Sequence, residues 1–141
     1  MSSIAATTVS RSKVLHYSLW VVQVLLGAAF LMAGFMKATT PLDQLAAGMA
    51  WVTHAPGALV RFIGVSEIAG GLGLILPAAT RIKPILTPIA AAALVVVMVL
   101  AFLTHLVLGE VEGLPVNVVL GGLAGFVAWG RLTKARVAPR G

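Results

Sequence analysis

Hydrophobic residues occur in four long runs, separated by short segments that hold charged residues, prolines or glycines. The runs cover residues 14–36, 59–76, 85–108 and 115–132. A helix needs about 20 apolar residues to cross a bilayer core, whereas a signal-peptide core has only about 7–15. The first run, 23 residues long, therefore predicts a retained membrane helix. Because the segments 77–84 and 109–114 are tight loops, consecutive helices are expected to be antiparallel neighbours.

The pattern predicts an all-α membrane protein, an antiparallel bundle of four transmembrane helices with a further helix in the first loop. That loop helix covers about residues 41–53, because Thr40, Pro41 and Asp43 form a variant of a capping box ahead of apolar residues at helical spacing. We expect it to lie in the interface plane on the non-cytoplasmic face, across the mouth of the bundle. An ordered loop without a covering role fits the same pattern.

Composition and charge exclude a soluble domain and give the bundle an orientation. Hydrophobic residues make up 60% of the 141-residue chain and charged residues 10%, against about 25% charged in soluble domains. The net charge is +6, yet the basic residues lie at the chain ends and in one short loop, which indicates orientation and not a nucleic-acid partner. Eight of the ten lie on one side of a four-span bundle: Arg11, Lys13, Arg81, Lys83, Arg131, Lys134, Arg136 and Arg140.

The positive-inside rule then places both termini in the cytoplasm, with the chain in the cell (inner) membrane. Residues 1–13 become a cytoplasmic N-terminal tail, residues 14–132 the membrane domain and residues 133–141 a basic cytoplasmic tail. The chain has no cysteine, which excludes iron–sulfur and thiolate chemistry. His16 and His105 lie at opposite faces of the membrane, so a bis-histidine haem is not expected. The sequence shows no nucleotide-binding loop and no metal-ligand set.

Four helices each place one polar residue in the non-cytoplasmic half of the membrane: Lys37, Glu67, His105 and Asn117. Polar residues inside a span are costly and usually face the bundle interior. Small residues accompany them, since Glu67 shares its helix face with Gly64 and Gly71, and small residues allow close helix approach.

Glu67 is the most informative of these residues, because a carboxylate at this depth must pair with a cation or take up a proton. Lys37 is the first partner to consider and His105 the second. These three are the candidate catalytic residues, and the candidate ligand-pocket lining is Gly64, Gly71, Asn117 and Trp51. In the alternative interpretation the ion pair only fixes helix register, and Asn117 only holds helices together.

Several segments resemble the DoxX-like family of small membrane proteins. The resemblance rests on GAAFLMAGFMK (27–37), GVSEIAGGLGL (64–74), LTPIAAAAL (86–94) and AFLTH (101–105), and extends over about residues 20–132. One member is a subunit of a thiosulfate:quinone oxidoreductase, and others are associated with hydroquinone or catechol metabolism and oxidative stress. Without cysteine this chain offers thiosulfate no covalent acceptor, so that substrate is not transferred.

The leading hypothesis is therefore a quinone-linked or redox-associated subunit that binds a small lipid-soluble ligand in the non-cytoplasmic half. A proton-coupled carrier of a small hydrophobic solute and a structural or assembly subunit are the alternatives, and whether the chain is an enzyme stays open. Quinone is the one cofactor suggested, and membrane lipids are the partners expected. Gly121 and Gly125 form a GxxxG pattern for contact with a neighbouring helix or a second subunit, in a homo-oligomer or a larger complex.

Overall fold

A computed structural model describes the backbone of residues 2–141 and the side chains of residues 13–141. Throughout this part of the chain the regular structure is helical, with no strand. The five α-helices are α1 (Ser2–Thr39), α2 (Leu42–Gly48), α3 (Gly57–Thr80), α4 (Leu86–Leu108) and α5 (Leu114–Trp129). A 3₁₀ turn at Val111–Gly113 precedes α5, and one π-helical turn, Gly130–Lys134, follows it.

Four segments are long and apolar enough to cross a membrane: Lys13–Thr39, Gly57–Thr80, Leu86–Leu108 and Val111–Lys134. The predicted all-α membrane fold with four crossing helices is therefore confirmed. The helix α1 packs most extensively on α3, and α4 packs most extensively on α5. Contacts between α3 and α4 and between α1 and α5 join these two pairs into one bundle.

Two of the helices extend beyond the apolar runs that predict the membrane spans. The helix α1 begins at Ser2, ahead of the first apolar run, because residues 2–13 contain neither proline nor glycine to interrupt it. Met1 of the predicted tail lies outside the described residues. The helix α3 continues through Pro77 to Thr80 and ends at Arg81 in the left-handed region, with φ of 60°.

Pro77 lies in the last turns of α3, where the break it causes in the hydrogen-bond ladder has few residues left to affect. The carbonyl of Leu74, in the same turn, accepts a 2.6 Å hydrogen bond from Nε2 of Gln23 on α1. A neighbouring helix thus donates to the backbone of the turn that proline disturbs, which is how membrane helices tolerate this residue.

The predicted first-loop helix is present as two short pieces, α2 and a 3₁₀ helix at Ala50–His54. They separate at Gly48 and Met49, where Met49 leaves the helical region with φ of −136° and ψ of 87°. Leu45 of α2 and Val52 of the 3₁₀ helix are buried against Val60 of α3. This outer cluster holds the loop against the bundle at the end where α3 begins.

The centre of the bundle is apolar, with a core that includes Leu26, Phe30, Leu74, Leu94 and Val127. The periphery is apolar as well, and many large aliphatic and aromatic side chains are more than half exposed. An apolar surface of this kind is what lipid tails solvate.

The contact between α1 and α3 depends on four glycines, Gly27, Gly34, Gly64 and Gly71, which we call the glycine seam. A Cβ atom built on Gly34 would lie 2.6 Å from the carbonyl oxygen of Gly64, and one built on Gly64 would lie 2.8 Å from the carbonyl oxygen of Gly34. A Cβ on Gly71 would lie 2.8 Å from the carbonyl oxygen of Gly27. The two backbones therefore touch, as small residues permit in lipid.

The GxxxG pattern of α5 faces α4 of the same chain. A Cβ on Gly121 would lie 3.2 Å from Cβ of Met98, and one on Gly125 would lie 3.9 Å from a methyl group of Val95. The pattern therefore makes a contact with a neighbouring helix of the same chain.

We predict that Gly64→Ala destabilises the bundle by about 1–3 kcal/mol, the range for overpacking a close contact. The added methyl group would meet the backbone nitrogen of Ala38 at 2.7 Å, and backbone atoms cannot move aside as a flexible side chain can. The free energy of unfolding of the purified protein in detergent micelles measures the effect.

Gly122→Ala is the matched control, because a Cβ atom on Gly122 meets nothing within 4 Å. In a helix interior this change should stabilise by about 0.5–1 kcal/mol. Equal stability of the two variants would contradict the close contact at Gly64.

Candidate functional site

A buried ion pair links α1 to α3. Nζ of Lys37, in the last turn of α1, lies 2.8 Å from Oε2 of Glu67, near the middle of α3. Lys37 is 8% exposed and Glu67 is 3% exposed. Both charges are thus almost entirely removed from solvent, and each is the other's neutralising partner. Of the two partners considered for Glu67, the structure selects Lys37.

The glycine seam brings the two charged residues within reach of each other. A Cβ on Gly34 would lie 3.0 Å from Cβ of Glu67, and a Cβ on Gly64 would lie 2.9 Å from Cβ of Lys37. Each charged residue therefore starts beside a glycine of the opposite helix. The faces of Gly64 and Gly71, considered above as pocket lining, are in contact with α1.

Arg61 fixes the end of α1 that carries Lys37. Its Nη1 donates to the carbonyl oxygens of Lys37, at 2.7 Å, and Thr40, at 2.6 Å. The last carbonyls of a helix have no partner within it and carry partial negative charge, so a guanidinium is a favourable cap. The sequence did not indicate this role, because α1 and α3 meet only in the folded bundle.

His105 has a different partner from the one considered above. Its Nδ1 lies 2.7 Å from Oε2 of Glu110, just beyond the left-handed Gly109 that ends α4. The imidazole ring lies against Gly113, where a Cβ would come within 2.9 Å of it. The structure therefore places His105 in a separate pair at the α4–α5 connection.

Asn117 and Trp51 lie in the same half of the bundle as the ion pair. Asn117 of α5 is 8% exposed, and its buried Nδ2 has no hydrogen-bond partner among the described residues. An amide donor left unpaired costs free energy, so this group has capacity to bind an acceptor. Trp51 is half-buried and packs against the outer cluster of the first loop.

A second polar cluster lies at the other end of the bundle and centres on Arg131, which is 3% exposed. Nε of Arg131 donates to Oε1 of Gln23 at 2.6 Å, and Nη1 lies 3.0 Å from Nδ1 of His16. The guanidinium also lies over the ring of Trp20, with its carbon 5.5 Å from the ring centroid. The sequence pattern predicted only that Arg131 marks the cytoplasmic end of a span, because basic residues commonly end a span. The available signal was the helical spacing of His16, Trp20 and Gln23, which lie on one face of α1.

The ion pair can bind and orient a ligand that carries oxygen atoms. An ammonium has three donors and a carboxylate has about four acceptor sites, so one hydrogen bond between them leaves capacity on both. Residues 13–141 hold no group of three or more His, Asp or Glu side chains arranged to ligate a metal ion.

A family model described as the DoxX-like family matches residues 21–127, which include Lys37, Glu67 and all four glycines of the seam. No curated protein matches the chain, and no solved structure does.

We predict that Lys37→Met and Glu67→Gln each destabilise the protein by about 3 kcal/mol, because each leaves a buried polar group without its partner. The double variant should be more stable than the sum of the two effects implies, with a coupling free energy of at least about 1 kcal/mol. Unfolding in detergent micelles, measured for all four proteins of the cycle, gives this coupling.

The control cycle combines Glu67→Gln with Lys83→Met, a lysine of the α3–α4 loop. The effects of substitutions at distant sites on the free energy of unfolding add to within about 0.5 kcal/mol, so this cycle should show no coupling. Additivity in the Lys37 and Glu67 cycle as well would mean that the ion pair does not stabilise the bundle.

Proposed function

The chain belongs to the DoxX-like family, and we propose that it is a membrane subunit that binds a small lipid-soluble ligand of the quinone class. The ligand binds in the half of the bundle that holds Lys37 and Glu67. The observation that carries the proposal is the buried ion pair between them, with 2.8 Å between Nζ and Oε2.

Energetics favour a ligand-binding role for this pair over a purely structural one. Removing two charges from water costs several kcal/mol per ion, and apolar residues of similar volume often give equal or greater stability. Charged residues are not needed to hold α1 against α3, since the glycine seam already packs the two backbones together. Ionisable groups inside a membrane commonly bind ions, protons or substrates.

A quinone offers what these two side chains recognise. Its carbonyl oxygens accept hydrogen bonds from the ammonium of Lys37, and the hydroxyl groups of the reduced form donate to the carboxylate of Glu67. Reduction of a quinone takes up two protons and two electrons. The side chains of the pair can exchange protons with the ligand. A partner protein supplies the electrons when the quinone is reduced, and the ligand itself supplies them when the quinol is oxidised.

Other groups in this half of the bundle suit the same ligand. The unpaired Nδ2 of Asn117 supplies a further donor for an oxygen atom. Under the positive-inside rule both termini are cytoplasmic, and the site lies in the non-cytoplasmic half of the cell (inner) membrane. The outer cluster, with Trp51 packed against it, holds the first loop against α3 at that end.

A structural or assembly role is the second candidate, and the glycine seam is the observation that favours it. Backbone atoms of α1 fill the space over Gly64 and Gly71, so the ion pair is enclosed on that side. In this role the pair would set the register of α1 on α3 and bind nothing.

We predict that protein purified from native membranes carries a quinone, which organic extraction and mass spectrometry will detect. A short-chain benzoquinol, whose hydroxyl groups donate to a carboxylate, should bind the delipidated wild type, and Glu67→Gln should weaken its binding about ten- to a hundredfold. This range corresponds to one hydrogen bond to a charged group, worth about 1.5–3 kcal/mol. Equilibrium titration in detergent micelles measures it.

Glu112→Gln is the matched control, because Glu112 is an exposed carboxylate at the same end of the bundle and should leave affinity unchanged. Absence of any aromatic lipid in the extract, together with no binding by the wild type, would refute the ligand-binding role. If Glu67→Gln lowers stability but leaves the affinity for the quinol intact, the pair is structural.

A further inference from the structure

The end of the bundle opposite the ion pair is strongly basic and has no acidic side chain of its own. We call it the basic end; it comprises the start of the first span at Lys13, the α3–α4 loop, and the π-helical turn with the residues after it. The whole chain contains four acidic residues. All of them lie in the other half: Asp43, Glu67, Glu110 and Glu112. No side chain of the basic end therefore supplies a counter-charge, and an anion from another molecule can serve as one.

Arg131 is a buried cation that lacks a counter-charge, because the groups that accept its hydrogen bonds are all neutral. Its Nε bonds Gln23, and its Nη1 bonds His16 and the carbonyl oxygen of Ala135, the latter at 3.0 Å. Its Nη2 is buried without a hydrogen-bond partner among the described residues. The described contacts between basic and acidic side chains, Lys37–Glu67 and His105–Glu110, are both in the other half. A buried charge without a counter-ion is costly.

A cavity of about 270 Å³ adjoins this arginine. Its walls consist of Lys13, His16, Tyr17, Lys134, Ala135 and Arg136. Two of these, His16 and Ala135, are the residues that accept hydrogen bonds from Nη1 of Arg131. The cavity thus lies directly beside the buried guanidinium, and three basic side chains complete its rim.

The contact with Arg131 also determines which ring nitrogen of His16 can donate a hydrogen bond into the cavity. A guanidinium has donors and no acceptor, so Nδ1 of His16 must be the acceptor in this hydrogen bond. The proton of the neutral ring is then on Nε2, which makes that atom a donor. Nearly every side chain of the wall can therefore donate a hydrogen bond, while no wall residue contributes a carboxylate.

We propose that this cavity is a phosphate-binding site at the basic end of the bundle. A phosphate group has several acceptor oxygens and a charge that Lys and Arg side chains match. The volume is close to the lower end of the range for ligand pockets, about 300 Å³, which suits a headgroup-sized anion. Basic pockets between membrane helices on the cytoplasmic side recognise anionic lipid headgroups in this way.

The phosphate can come from two sources, an anionic phospholipid or a soluble phosphate compound. Next to the cavity, α1 exposes an apolar face on which Val14 is 63% exposed and Val21 is 59% exposed. An acyl chain would lie against this face while its headgroup occupied the cavity. This site is independent of the quinone-class ligand proposed for the other half.

The test uses the full chain and two probes. Native mass spectrometry of protein released from nanodiscs of phosphatidylcholine with phosphatidylglycerol reports retained anionic lipid. Thermal unfolding in detergent, with inorganic phosphate against chloride at equal ionic strength, reports soluble phosphate. The cavity variant is Lys13→Gln with Lys134→Gln, which replaces two exposed side chains. Each of these lysines is expected to lose a charge-assisted hydrogen bond to a phosphate oxygen, so the variant should bind at least about tenfold more weakly.

The control variant is Lys83→Gln with Arg140→Gln, which removes the same charge from the same end but alters no wall residue. It should change affinity less than about threefold, because only screened surface charge is lost. Retention of phosphatidylglycerol supports the site and identifies an anionic lipid as the source of the phosphate. A phosphate-dependent rise in the unfolding midpoint supports the site and identifies a soluble phosphate compound as the source. Failure of both probes to bind the wild type, or equal weakening in both double variants, overturns the proposal.

Discussion

The backbones of α1 and α3 touch at Gly34 and Gly64, and the geometry of the candidate site follows from that contact. Within lipid, apolar side chains gain little by leaving acyl chains for another helix, so close packing between small residues must hold helices together. A side chain at either glycine would separate the helices and move Lys37 away from Glu67. Arg61 then ties the last carbonyls of α1 to α3, so the depth of the lysine is fixed by backbone as well as by charge.

The bundle meets the cost of buried polar groups differently at its two ends. Where α1 ends, opposite charges face each other in Lys37–Glu67, and a second pair, His105–Glu110, closes the turn after α4. At the basic end, Arg131 has a neutral amide, an imidazole and a carbonyl around it. The apolar core around Phe30 and Leu94 separates the two arrangements. One end is therefore neutralised within the chain, whereas the other requires an external anion.

Sequence patterns predicted features that depend on one helix at a time. The length of the hydrophobic runs predicted four spans, and the glycines beside Glu67 predicted a close helix contact. The depth of Glu67 in its span predicted a cation partner, with Lys37 as the first candidate. Features that depend on where two elements meet were not predictable. Arg61 caps a helix 24 residues earlier in the chain, and Arg131 lies 108 residues from Gln23. Helical spacing shows which face a residue occupies, but it does not show what lies opposite.

The contacts between α1 and α3 limit how a ligand can reach the ion pair. Gln23 of α1 donates to the carbonyl of Leu74 in α3 near the basic end, and the ion pair joins the same two helices near the other end. Between these points the glycine seam brings the backbones into contact, so no opening between α1 and α3 can form without breaking all three. A ligand for Lys37 and Glu67 must therefore enter from the side of α4 and α5, where Asn117 lies, or from beneath the first loop. Exchange of such a ligand should depend on motion of the α4–α5 pair or of α2, with α1 and α3 as the fixed wall.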